Sequence, residues 1–481
     1  MRARAVHVRG WLYGATIALL VTVCAALPGR ARATEFSVPP ALVTQVNFWV
    51  DVFTRYGKRQ VIIHDTARLD RIYSVLDLSD LDAEGLTEMQ IELAMKSEED
   101  AEKSRIRALL SRLDQVDPQN DSLTDEERRL VALFAADPSP SKFADAAAED
   151  RVRGQRGLRE RFARGLQVAH AYFPAMEEIF AQEGVPAEIT RLPMVESCFN
   201  IHAYSKAGAA GVWQFMPGTA RRFMRVDGVV DERLDPLTST RAAARFMREN
   251  YELLGTWPLA IKAYNHGPAG IARAVRETGS TDAATIIENY QGPAYKFASR
   301  NFYPEFLAAL YVDANYQKYF GDIAIDPPLT CDTVLLTRQT PIITAARCAG
   351  TDVWDISSLN PSLLASIDDG QRPIPSGYEL RLPLGTREHF RSCLEALPEP
   401  KLQMAARVPA SRRSAVSRSA AAKAAIKAKV KRQHVVHKVK RGQTLAQIAT
   451  LYGCSVDEIR RGNRLKGNTI HAGQVLRIPL S

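Results

Sequence analysis

Apolar positions recur at three- and four-residue spacing in the first third of the chain: Leu86, Met89 and Leu93, then Ile106, Leu109, Leu110 and Leu113. That period predicts amphipathic helices between Phe48 and Phe134, and Ser122-Leu-Thr-Asp-Glu-Glu127 is a helix-start signal. A second helical block is predicted from about Arg151 to Tyr316. Within it Asp235-Pro236 opens a helix over Leu237–Leu254, with Asp as the cap and Pro in the first turn. Beyond Pro327 the texture changes to short apolar runs broken by turns, which suggests a smaller α/β unit. Residues 398–433, rich in Ala, Lys, Arg and Ser, predict a flexible or partly helical linker, and His434–Ser481 regains a folded pattern.

An internal repeat supports that division. Gly473-Gln-Val-Leu-Arg-Ile-Pro479 matches Gly377-Tyr-Glu-Leu-Arg-Leu-Pro383 at four of seven positions, and each is preceded by an Ile-x-x-x-Asn, at Ile459–Asn463 and Ile356–Asn360. Two copies of one small module, the earlier degenerate, explain both matches.

The chain has 481 residues, 46% hydrophobic and 24% charged, which is ordinary globular composition and excludes wholesale disorder and a multi-span membrane protein. Its net charge of +9 suggests a nucleic-acid partner until it is located. Ten basic residues and no acid fall in 401–432, and five arginines and no acid in 1–33; removing them leaves the remainder at −6. A tether and a targeting segment carry the excess, so nucleic acid is not a partner.

At the start, Arg2, Arg4 and Arg9 precede the 17-residue apolar run Trp11–Leu27, followed by Pro28-Gly29 and Ala31-Arg-Ala33. This layout predicts a secretory signal peptide over 1–33, cut after Ala33, and a periplasmic protein. An uncleaved membrane anchor and a lipid on Cys24 are the alternatives. After loss of Cys24 five cysteines remain without C-x-x-C spacing; two of Cys331, Cys348 and Cys393 could pair, and sequence does not say which.

No H-E-x-x-H, phosphate-loop, dinucleotide or G-x-S-x-G motif is present, and the nine histidines lack ligand spacing, so neither metal nor cofactor is indicated. One dense segment remains, Arg191-Leu-Pro-Met-Val-Glu-Ser-Cys-Phe-Asn200, with Ser205 to Pro217 after it. Glu196 stands among Leu192, Met194, Val195 and Phe199. Burial there would raise its pKa toward that of a general acid, although a partly exposed glutamate at a helix end fits the same flanks.

Glu196-Ser197, Gly211-Val-Trp-Gln214 and Ala263-Tyr-Asn265, in this order and at these separations, resemble the three signature motifs of the lytic transglycosylases of the goose-type-lysozyme-like class. Leu192 to Ser197 together with Trp213-Gln-Phe-Met-Pro217 is most similar to the membrane-bound lytic murein transglycosylase D subgroup. The resemblance spans roughly residues 150 to 320. Separately, Val439-Lys-Arg-Gly-Gln-Thr-Leu445, Ile448-Ala449, Tyr452-Gly453, Ile459, Asn463 and Gly473–Pro479 resemble a LysM peptidoglycan-binding module.

These resemblances imply a mainly α protein: a helical N-terminal region (34–150), a lysozyme-like transglycosylase domain (151–325), a degenerate LysM-like α+β module (330–395), the linker and a βααβ LysM domain (434–481). They imply Glu196 as the sole acid/base, Ser197, Gln214, Tyr264, Asn265 and Tyr303 as groups that orient it or hold substrate, and peptidoglycan glycan strands as the partner. Cys198 and His266 depart from the usual small residues at their positions. Singly, Gly208 and Gly211 could serve a turn, Trp213 and Phe215 the core, and Tyr264-Asn265 a helix end. Two other functions compete: a hydrolytic muramidase using Asp227, Asp231 or Asp235 as second carboxylate, and a non-catalytic wall-binding scaffold.

Overall fold

The computed structural model describes residues 36–83, 85–117, 122–397 and, in the last segment, 434–439, 444, 445, 448, 449, 456–463, 465, 467–471 and 473–479. The expected signal segment, the linker and Cys454 lie outside the described residues. The chain divides into two units, one ending at Pro400 and one beginning at Lys401.

Helices dominate the first unit. It opens with α1 (Val43–Thr54), β1 (Gln60–Asp65), β2 (Ile72–Asp77), α2 (Glu88–Leu113), α3 (Asp125–Leu133), α4 (Lys142–Ala146) and β3 (Val152–Arg156). The signal at Ser122–Glu127 is a capping box on α3: Thr124 accepts from the Glu127 amide and the Glu127 side chain accepts from Thr124 N–H.

The region is not wholly helical, however, since the strands form an antiparallel sheet in the order β2–β1–β3. Val61 and Ile63 of β1 join a core with Ile91, Met95, Ile106 and Leu110 of α2, whereas Ile62 joins the core of the following domain. A strand buried on both faces shows a continuous apolar run instead of alternation, so its period does not announce a strand.

The domain that follows is built from α5 (Arg159–Ala169), α6 (Phe173–Gln182), α7 (Leu192–Ser197), α8 (Pro217–Ala220), α9 (Pro236–Leu254), α10 (Trp257–His266), α11 (Pro268–Thr278), α12 (Ala283–Asn289), α13 (Phe297–Ala314) and α14 (Tyr316–Phe320). Its buried core extends to α1, which packs along α13 and ties to it through Trp49 Nε1 donating to Asn301 Oδ1 at 3.2 Å. Asp235 caps α9 as its sequence suggests, accepting from the amides of Leu237 (3.0 Å) and Thr238 (2.8 Å).

A smaller piece completes the unit: β4 (Asp332–Leu335), α15 (Ile342–Cys348), α16 (Val353–Leu359), α17 (Ala365–Asp368), β5 (Glu379–Leu382) and α18 (Arg387–Ala396), with β4 and β5 antiparallel. Its core takes in Val230 from the preceding domain, Asp231 N–H donates to Ser362 O at 2.8 Å, and Arg381 pairs with the capping carboxylate of Asp235. Of the three candidate cysteines, Cys348 and Cys393 are bonded, joining α15 to α18, and Cys331 is free. The bond closes a loop between residues 45 apart, for which chain entropy gives a stabilisation of about 4 kcal/mol. Reduction, or Cys348→Ser with Cys393→Ser, should lower stability by about 2–4 kcal/mol. An unchanged denaturation midpoint with and without reductant would show that the bridge adds nothing.

In the second unit β6 (His434–Lys438) and β7 (Val475–Pro479) pair antiparallel, with α19 (Val456–Asn463) packed on β7. The two repeated segments share their hydrogen bonds as well as their letters. Asn360 donates to Ile356 O and Arg381 O, both at 2.8 Å, and accepts from Arg381 N–H at 2.9 Å. Asn463 donates to Ile459 O (2.8 Å) and Arg477 O (2.6 Å) and accepts from Arg477 N–H at 2.6 Å. One asparagine per copy thus ties the end of a helix to the middle of a strand, which requires the Ile-x-x-x-Asn spacing.

Candidate functional site

Glu196 sits in the last turn of α7, a six-residue helix whose Leu192, Pro193 and Met194 are buried. The helix stops because Cys198 (φ 48°) and Phe199 (φ 52°) adopt the left-handed conformation without being glycine, at a cost of roughly 1–2 kcal/mol each. Packing holds them there. Phe199 lies between Tyr172 and Phe173, with ring centroids 5.7 and 5.9 Å away, and α5 comes so close that a Cβ on Gly165 would meet the Cys198 carbonyl oxygen at 2.4 Å. At the other end Arg191 donates to Asp313 Oδ2 of α13 at 2.8 Å, pairs with Glu177 and lies 4.2 Å over the Phe173 ring. A short helix anchored at both ends presents its glutamate in a fixed place.

The Gly211–Gln214 segment wraps against it. Ser197 Oγ donates to Val212 O at 3.0 Å and accepts from Asn200 N–H at 3.1 Å, so its hydroxyl fastens the helix to the loop. Trp213 is fully buried, its indole N–H bonded to Thr240 Oγ1 at 2.9 Å and its ring stacked on Phe180. That burial forces the next residue into a left-handed turn: Gln214, at φ 48°, is half-buried and donates to Gly211 O at 2.8 Å. Sequence reasoning missed Arg233, which is buried, clamps Gly208 O (2.7 Å) and Phe215 O (3.0 Å), and is neutralised by a two-point pair with Asp231.

Tyr264 and Asn265 end α10, as their motif suggests. Tyr264 Oη donates to Trp213 O at 2.7 Å; burial and then the charge of Glu196 hold its hydroxyl well above the usual phenol range, so it stays protonated. Asn265 is exposed and accepts from Ser299 Oγ at 3.1 Å, while His266 Nδ1 lies 3.1 Å from the same hydroxyl. Beneath them Lys262, 1% exposed, donates to Ser299 O at 3.2 Å and faces the Tyr295 ring, its ammonium brought down to about 7 by burial. Tyr303, expected beside substrate, is 2% exposed with its ring stacked on Phe306.

Glu196 is half-buried, and burial of its carboxyl, reinforced by the nearby Glu305, pushes its pKa up to about 8. Glu305 is the second residue missed from sequence. It carried the same signal, an ionisable group inside the apolar stretch Phe302-Tyr-Pro-Glu-Phe-Leu307. Among the described residues neither carboxyl has a hydrogen-bond donor, and of the two Glu305 alone has a cation, Arg153, that favours its charged form. Asp227 pairs with Arg225, Asp231 with Arg233, and Asp235 with Arg381 and the start of α9. The site therefore combines a carboxyl held protonated to about 8, a protonated phenol and the exposed amide of Asn265, which suits proton transfer to a polar ligand.

Comparison with known proteins agrees. Residues 175–287 match the transglycosylase SLT domain family and residues 437–479 the LysM domain family. Over 347 residues the chain is 27% identical to the membrane-bound lytic murein transglycosylase D of Escherichia coli (strain K12), covering 68% of this chain and 69% of that protein. It is 28% identical over 133 residues to the soluble lytic murein transglycosylase of Salmonella typhimurium (strain LT2), covering 26% and 20% of the two chains. Among solved structures, the 70 kDa soluble lytic transglycosylase of Escherichia coli aligns at 18% identity and a TM-score of 0.25, over 49% of this chain and 46% of that one. The chain thus carries a transglycosylase SLT domain ahead of a C-terminal LysM domain, and over two thirds of its length it is similar to a membrane-bound lytic murein transglycosylase.

Proposed function

We propose that this enzyme cuts the β-1,4 bond between N-acetylmuramic acid and N-acetylglucosamine in peptidoglycan without consuming water, leaving 1,6-anhydromuramoyl ends, with Glu196 as sole acid and base. What supports the reading is Glu196 held at the end of the doubly anchored α7, against the Gly211–Gln214 loop that Ser197 and Tyr264 bond to, with burial raising its pKa to about 8. Glu196 protonates the glycosidic oxygen as the bond breaks. The resulting carboxylate then takes the proton of the muramoyl C6 hydroxyl, which attacks C1 and closes the ring; the enzyme regains its starting protonation state.

Gln214 and Asn265 are the groups placed to hold the sugar, Tyr264 faces the acid with its proton in place, Ser197 orients α7, and Tyr303 acts from beneath. A hydrolytic muramidase would need a further carboxylate to activate water. The three aspartates suggested for that role are engaged in ion pairs and caps, and burial holds the nearby Glu305 protonated to about 8, which suits it poorly to activate water; both favour the water-free path. Wall digests should yield anhydromuropeptides, and a preponderance of new reducing ends would overturn it.

The LysM domain adds a grip on N-acetylglucosamine-containing glycan, carried on the basic 398–433 tether, so that it raises the enzyme's local concentration on the wall without touching the broken bond. Residues 330–395 are the earlier copy of the same module. The Arg2–Ala33 layout and a disulfide in the first unit support work in an oxidising periplasm. Ending the chain after Leu397 should weaken sedimentation with insoluble wall, most clearly at low salt where the tether's charges act, while cleavage of short soluble glycans stays within about twofold. Loss of soluble-substrate cleavage in the folded, shortened protein would refute the tether reading.

A further inference from the structure

We propose that Ser299 of α13 and His266 of α10 are positioning residues that fix which end of the Asn265 amide meets the sugar, and that they thereby make the site prefer N-acetylated glycan. The inference rests on the reading of Asn265 as a group that holds substrate. Helix α10 packs against α13, and two of its side chains one turn apart grip one serine in the first turn of α13. Lys262 Nζ donates to Ser299 O at 3.2 Å, and His266 Nδ1 lies 3.1 Å from Ser299 Oγ. The same hydroxyl donates to Asn265 Oδ1 at 3.1 Å.

The imidazole sits in a slot shaped for it. Its ring stands edge-on to the buried Tyr295, with centroids 5.1 Å apart, and a Cβ on Gly270 would meet its Cδ2 at 2.6 Å and its Nε2 at 2.9 Å. Lys262 Nζ lies 4.9 Å over the same Tyr295 ring. One partner therefore holds the serine's backbone and another its hydroxyl, so Ser299 Oγ stays aimed at Asn265.

A serine has one proton to give. With that proton on Asn265 Oδ1, Ser299 Oγ can face His266 only as an acceptor, so Nδ1 carries the ring hydrogen. The hydrogen bonds then run one way, from His266 through Ser299 to Asn265, and they decide how the amide is turned. Its Oδ1 is used inside the protein, while Nδ2, without a partner among the described residues, is the end of this exposed side chain left for a ligand. An amide NH2 offers hydrogens and accepts none. On an amino-sugar polymer it matches the carbonyl oxygen of an acetamido group and opposes the ammonium that remains once the acetyl group is removed.

The test is kcat/KM of the full chain on purified glycan strands and on the same strands after chemical de-N-acetylation. Wild type should favour the acetylated strands. Ser299→Ala should cut that preference by about 3- to 10-fold, the worth of one hydrogen bond, by lowering kcat/KM on acetylated strands alone. His266→Ala should act in the same direction and add little on top of Ser299→Ala, because both break one chain of bonds. Ser299→Thr keeps the hydroxyl and should restore the preference. Asn265→Ala should remove the preference, and Ser299→Ala in that background should change nothing further. Equal losses on both substrates overturn the inference, since a packing defect acts on both. So does a wild type that cuts both alike, an unchanged preference in folded Ser299→Ala, or full additivity of Ser299→Ala with Asn265→Ala. If Ser299→Ala does not fold, the same ratio measured in His266→Ala decides. Asn265→Ala without effect on either substrate would sink the reading of Asn265 itself, and that variant tells the two failures apart.

Discussion

Glu196→Gln should lower wall-degrading turnover by about 10²- to 10⁴-fold, the range associated with a lost general acid, while making the protein harder to unfold at neutral pH. The amide keeps the volume and the packing of α7 but has no proton to deliver. The stability gain follows from the raised pKa. In the unfolded chain the carboxyl ionises near 4.5 and in the folded one near 8. Below 4.5 both states hold the proton and the residue is neutral toward folding. Between the two values the unfolded state releases its proton and the folded state does not, so stability falls as pH rises and levels off above 8. The melting temperatures of variant and wild type should therefore diverge from pH 4.5 to 8 and run parallel beyond. Turnover within a few-fold of wild type, or a gap independent of pH, would contradict the assignment.

Gly211→Ala should be nearly as damaging for a different reason. Gly211 has φ 76°, and a Cβ there would lie 1.7 Å from the Arg233 carbonyl oxygen, a backbone atom that cannot swing aside. The left-handed conformation alone costs alanine roughly 1–2 kcal/mol. Relieving the clash must also shift the loop that Arg233 clamps and that carries Trp213 and Gln214. Displacement of a substrate-holding loop by about 1 Å can cost on the order of 10²-fold in rate, so kcat/KM should drop by that much together with the melting temperature. Gly208→Ala is the control: at φ 90° it bears the same conformational strain, but its Cβ would have open space around it. Equal losses in the two variants would mean that the close approach at Gly211 is unimportant.

The contrast between those glycines shows what one-dimensional reading reaches. Both mark a turn in the sequence, and only the fold reveals which of them another backbone segment presses against. The helices, the Asp235 cap and the repeat were legible because each is written in local spacing. The strand Val61–Ile63 was not, since its partners include residues some ninety positions away and both of its faces are covered. Glu196 was singled out by the Glu-Ser, Gly-Val-Trp-Gln and Ala-Tyr-Asn motifs, since its apolar flanks alone fit a helix-end glutamate as well. Glu305 had the same flanks but no motif around it, and Arg233 reads as one more charged residue until its two carbonyl partners come together.

The bridge between Arg381 and Asp235 changes where the working enzyme ends. The transglycosylase match stops at residue 287, which invites trimming the chain there or at the end of α14. Such a fragment would uncover Val230, unpair the backbone of Asp231 from Ser362 and strip the carboxylate at the head of α9 of its guanidinium. The β4–α18 segment is therefore masonry for the lobe that precedes it. Limited proteolysis should therefore release a resistant core that runs to about residue 397, and the smallest autonomous enzyme keeps the module that its family signature leaves out.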